Sequence, residues 1–126
     1  MKIVHRFYND TFHRRLWVTF SRDVKLITER YDDIDVLDCD GFTDQIELGE
    51  GKTGVIIFID ADQQVDDFHE TVVHESVHAC EYMCKAVGMK FKNEQAAYLT
   101  EWVFRQVMTA FRDQLEWEDN TNGDAA

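Results

Sequence analysis

The stretch Asp66–Val87, DDFHETVVHESVHACEYMCKAV, decides how the chain reads. Val73, Val77, Cys80, Cys84 and Val87 recur at alternating intervals of four and three, which makes one apolar stripe along an α-helix. Gly88 follows as a helix stop. On that helix His74 and His78 lie one turn apart and project from the same side. Two imidazole nitrogens so placed can share one Zn²⁺ at about 2.0–2.1 Å. Glu75 points about 100° further round the helix. A carboxylate there reaches water beside the metal rather than the metal itself, which is where a general base is needed.

A catalytic zinc takes a third protein ligand and leaves one position for water. Asn93 is a good N-cap for a second helix running to about Trp117, whose inner face is expected to carry Ala97, Phe104, Met108, Phe111 and Leu115. Glu94 and Glu101 share a side with Ala97, Phe104 and Met108. A carboxylate on a packing face is costly unless it is paired or bound to a metal. Glu94 is therefore the expected third ligand, and Glu101 the acceptor that orients a histidine N–H. Seven residues bring Glu101 back to nearly the same face, so the two could exchange roles. Glu81 is a further option, and Glu70 a surface charge or an outer partner of the site. A phenol from Tyr98 or Tyr82 could steady an oxyanion.

His74 to His78 followed by a glutamate on the next helix resembles the gluzincin arrangement of HExxH zinc metallopeptidases. Asn93-Glu94 is similar to the Asn-Glu that carries the third ligand in thermolysin-like enzymes. The short spacer also resembles minimal SprT-like zincins and small phage-encoded HExxH proteins. The resemblance covers residues from about 55 to 108. It implies a minimal zincin-like domain in which His74, His78 and Glu94 hold zinc, Glu75 is the base, and Val55–Ile59 is a strand near the cleft that accepts substrate backbone. Tyr98 stands where the thermolysin-like pattern has an acidic residue, and a second lobe to close the cleft is not evident.

The remainder fits an α+β domain, a small antiparallel or mixed sheet packed on two long helices. Gly54–Asp60, GVIIFID, reads as a strand buried on both faces. Leu16–Phe20 reads as a second strand. Ser21 caps a short helix over residues 22–30, and Gly49, Gly51 and Gly54 punctuate a hairpin turn. Val36–Glu47 partly matches a calcium loop but lacks the leading carboxylate, and reads better as an acidic solvated loop. Residues 1–117 make a single domain, and 118–126 a flexible polar tail. His5, His13 and His69 are expected to be exposed. Three cysteines, an odd number, argue against a disulfide framework, and Cys80 and Cys84 read as small buried side chains.

The formal net charge is −12, which disfavours nucleic acid as a partner. The longest unbroken apolar run, Val55–Ile59, is far too short to cross a bilayer, and no secretory leader is evident, so a cytoplasmic protein is expected. The leading expectation is a zinc-dependent hydrolase, a small metallopeptidase acting on a peptide or protein substrate. The alternative is a non-catalytic acidic binding or inhibitor protein, phage-type, that keeps the zinc site and takes a basic protein partner.

Overall fold

The structure, a computed structural model, describes residues 4–22, 39–47 and 51–125; for Trp117 and residues 119–125 only the backbone is described. The elements are β1 (His5–Asn9), β2 (Arg14–Thr19), β3 (Gly41–Glu47), β4 (Thr53–Ile59), α1 (Val65–Ala86) and α2 (Glu94–Ala125). They form the expected α+β architecture, with one mixed sheet in the order β1-β2-β4-β3. β1 pairs antiparallel with β2, β2 parallel with β4, and β4 antiparallel with β3.

β4 sits inside the sheet, and its last six residues are buried. That explains its unbroken apolar run: Val55, Ile57 and Ile59 meet the helices, while Ile56 packs with Trp17 and Ile46 on the opposite face. β1 was not anticipated, although HRFYN alternates in the period of a strand. His5 and Phe7 turn toward the helices, so Arg6 and Tyr8 turn the other way. His5 is buried rather than exposed, and its Nε2 lies 3.1 Å from Gln114 Oε1.

Both helices lie on one sheet face and run antiparallel. Cys80, late in α1, donates to the Ala96 carbonyl at the start of α2, while Phe68, early in α1, stacks on Phe111 at 4.5 Å. α1 ends as Gly88 promised. Gly88 has φ 73°, its N–H bonds to the Lys85 carbonyl, and the Met89 N–H bonds to the Cys84 carbonyl at 2.8 Å. α2 begins with the Ala96 N–H bonded to Asn93 Oδ1 at 3.0 Å, so Asn93 is the N-cap. Asn93→Ala should lower the unfolding free energy by about 1 kcal/mol, read as a shifted denaturant midpoint with an unchanged slope. A midpoint within error of the parent would remove the cap from the account.

The apolar faces are rotated from those the spacing suggested. On α1 the buried residues are Phe68, Val72, Glu75, Ser76, Ala79, Cys80, Met83 and Cys84, whereas Val73 and Val87 are exposed. The helix is covered on two sides, by the sheet and by α2, so its buried arc is wider than one stripe and centred elsewhere. On α2 the inner face is Ala96, Leu99, Val103, Val107 and Ala110. Phe104, Met108 and Phe111 only flank it, and Ala97 and Leu115 are exposed. The helix continues to Ala125, past the expected end near Trp117.

A further expectation, an acidic solvated loop over Val36–Glu47, changes in the part that is described. Gly41–Glu47 is strand, which does not fit a calcium loop over Val36–Glu47, because an extended chain sends Asp44 and Glu47 to opposite faces. The predicted helix over residues 22–30 lies almost wholly outside the described residues. No helix among the described residues is long and apolar enough to cross a membrane.

Candidate metal centre

α1 lies over β4 and the edge strand β3, and that placement builds the site. His74 and His78 stand on its exposed side, with their Nε2 atoms 3.2 Å apart and their rings 4.7 Å apart at 76°. Two nitrogens about 2.05 Å from one tetrahedral zinc are about 3.4 Å apart. The pair is therefore arranged as two corners of such a site. The same separation also suits an N–H···N hydrogen bond between one ring and the other.

Glu75 occupies a different environment. It is only 6% exposed, because its side chain turns toward β3. Thr43 Oγ1 donates to Glu75 Oε1 at 2.8 Å and lies 3.2 Å from the Glu75 carbonyl oxygen. Gly41 lets the strand approach this closely. A Cβ there would stand 2.8 Å from Thr71 Cγ2, 2.9 Å from the Phe58 carbonyl oxygen and 3.2 Å from Glu75 Cγ. Glu75 and His74 both line a cleft of about 350 Å³ with Gly41 and Thr71. Asp40, Asp67 and Glu70 also border it, and among the described residues no Lys or Arg lines it. A buried carboxylate held by one hydroxyl, opening into the cleft that carries a histidine, can take a proton from water there.

The remaining candidates are placed elsewhere. Glu94 and Glu101 are exposed, which removes the argument that they lie on a packing face. Glu101 borders a groove between the helices, along with Ser76, Thr100 and Phe104. Tyr98 is 63% exposed, and Tyr82 lines a separate cleft with Gln45 and Lys85. Glu81, His13 and His69 are exposed. Among the described residues, no group of three or more His, Cys, Asp or Glu side chains is gathered closely enough to hold a metal ion. The His74–His78 pair thus supplies two donors, and the described geometry supplies no third.

The thiols behave as the sequence suggested. Cys80 and Cys84 are buried, with sulfurs 3.8 Å apart. Burial is the largest influence on Cys80 and pushes its thiol up to about 11, against the Thr100 hydroxyl, which pulls it down. Cys80 is therefore protonated at neutral pH, when metal binding would need a thiolate.

Sequence reasoning passed over Thr43 and Gly41. The signal available was their alternation in GFTDQIE, which sets Gly41, Thr43 and Gln45 on one strand face. Nothing in the sequence pairs that face with Glu75. Val55–Ile59 cannot accept a substrate strand, because β2 and β3 occupy both of its edges; among the described strands, the outer one on the side of α1 is β3. Compared with protein-family models, curated proteins and solved structures, the chain has no match.

Proposed function

We propose that this protein is a zinc-dependent hydrolase, most simply a small metallopeptidase of the HExxH type. The observation that carries the reading is the His74–His78 nitrogen pair at 3.2 Å beside a buried Glu75 whose carboxylate is fixed by Thr43. His74 and His78 would hold the metal. Bound zinc supplies Lewis acidity toward a carbonyl and lowers the pKa of its water to about 7. Glu75 takes a proton from the attacking water and later returns it to the leaving amine. Thr43 keeps the carboxylate aimed into the cleft, and the acidic border formed by Asp40, Asp67 and Glu70 repels anionic substrates.

Glu94 is proposed as the third ligand, on the resemblance to gluzincins, with Glu101 orienting a histidine. Purified Glu94→Ala should lose bound zinc, with affinity falling by about 100-fold or more, when metal content is measured after dialysis against a weak chelator. Unchanged zinc would discard Glu94, and zinc lost only in Glu101→Ala would transfer the role to Glu101.

The second reading is a non-catalytic acidic binding protein that keeps the histidine pair. It is favoured by the exposure of Tyr98, which leaves the cleft without a phenol donor from that residue. It predicts a basic protein partner whose binding weakens with salt and is indifferent to Glu75→Gln.

A further inference from the structure

The sheet face turned away from α1 carries a feature that hydrolysis at His74 does not use. Arg6 on β1 and Arg15 on β2 project to that face, and Lys52 stands just before β4. All three line one open cleft of about 540 Å³, together with Tyr8 and Trp17. Among the described residues, no carboxylate lines it. The chain as a whole has 25 Asp and Glu against 13 Lys and Arg, so three cations gathered at one cleft, with no acid beside them among the described residues, run against its composition. None of the three is ion-paired among the described residues, where the one salt bridge is Arg22–Asp60 at 2.6 Å.

Like charges brought together repel one another, and a bound anion relieves that cost. The Arg15 guanidinium stands 6.0 Å from the centre of the Tyr8 ring, and the Tyr8 hydroxyl lies 3.0 Å from His13 Nδ1. Tyr8 thus gives Arg15 a wall to lie against. Two guanidinium forks and one ammonium suit the tetrahedral oxygens of phosphate, which accept bidentate bonds. The size of the ligand follows from the net charge of −12. A long polyanion would overrun the cleft and meet an acidic surface, whereas a small anion stays within a Debye length, about 10 Å, of the three cations.

We propose that Arg6, Arg15 and Lys52 form a binding site for a small phosphate-bearing anion, either free phosphate or pyrophosphate or the phosphate group of a nucleotide. The site is independent of the histidine pair and of the hydrolase reading.

Titration calorimetry at low ionic strength, with inorganic phosphate, pyrophosphate, AMP and ADP as separate probes, tests it. Pyrophosphate should bind about tenfold more tightly than phosphate, and raising salt to about 0.2 M should weaken both. ADP tighter than pyrophosphate would identify a nucleotide as the source of the phosphate; equal affinity would identify the free anion. Arg15→Gln and Arg6→Gln should each weaken pyrophosphate by about tenfold, and Lys52→Gln by less, because a single ammonium lacks the bidentate fork. Arg6 and Lys52 are exposed, so their variants should keep the parent melting temperature even if Arg15→Gln does not. His74→Ala should bind pyrophosphate like the parent. No binding by any probe would overturn the proposal. So would parental affinity in Arg6→Gln and Lys52→Gln, affinity lost in His74→Ala, or equal competition by a short glutamate peptide, which would mean that the cleft reads charge without phosphate geometry.

Discussion

Glu75→Gln is expected to retain zinc at the parent stoichiometry while hydrolysis of a mixed peptide pool falls by about 10²–10⁴-fold. The amide has the shape of the carboxylate, and its oxygen can still accept the Thr43 hydroxyl that now reaches Oε1 at 2.8 Å. The side chain therefore stays beneath β3 and the helix does not repack. What is lost is the ability to accept a proton, since a primary amide is not a base at neutral pH. Metal content and turnover measured on the same sample separate the possibilities. Zinc lost with the carboxylate would make Glu75 a ligand rather than a base. Turnover surviving in the variant would place the base elsewhere. A parent that holds zinc and hydrolyses no peptide would favour the binding-protein reading.

The legible parts of this fold were those set by local chemistry. β4 announced itself through a run of β-branched and aromatic residues, and both helix boundaries at the α1–α2 junction were written in Gly88 and Asn93. The approach of His74 to His78 was also legible, because residues four apart on a helix meet whatever surrounds them. The helix faces were not. Periodicity finds an apolar stripe, but which stripe is buried depends on where two neighbours press. α1 is pressed by a sheet and by a helix, so Ser76 and Glu75 are buried while Val73 is exposed. The same rotation on α2 moved Glu94 and Glu101 from the presumed inner face to the surface. Thr43 was invisible for a related reason. It meets Glu75 across 32 positions of chain, and only the pairing of β3 with β4 brings it there.

Two glycines in the sheet separate the stability of the fold from the shape of the cleft. At Gly54 a Cβ would stand 2.5 Å from Trp17 Cζ3, 2.6 Å from the Arg15 carbonyl oxygen and 2.8 Å from Arg15 Cβ. A rigid indole and a backbone oxygen cannot both retreat unless the parallel β2–β4 pair opens. Gly54→Ala should therefore cost about 2–3 kcal/mol, seen as a lower denaturant midpoint. Gly41→Ala meets the methyl of Thr71, the Phe58 carbonyl oxygen and Glu75 Cγ. The edge strand can move outward more readily than a central one, so its cost should be smaller, about 1–2 kcal/mol. Its effect on turnover should be larger, because the strand that retreats carries Thr43 away from Glu75. Comparing turnover per folded molecule at a temperature where both variants are folded isolates that difference. Gly41→Ala should lose about tenfold or more, since a misplacement of about 1 Å can cost 10²-fold, while Gly54→Ala keeps most of the parent activity. Equal losses in the two variants would mean that the contact between β3 and Glu75 contributes only to stability.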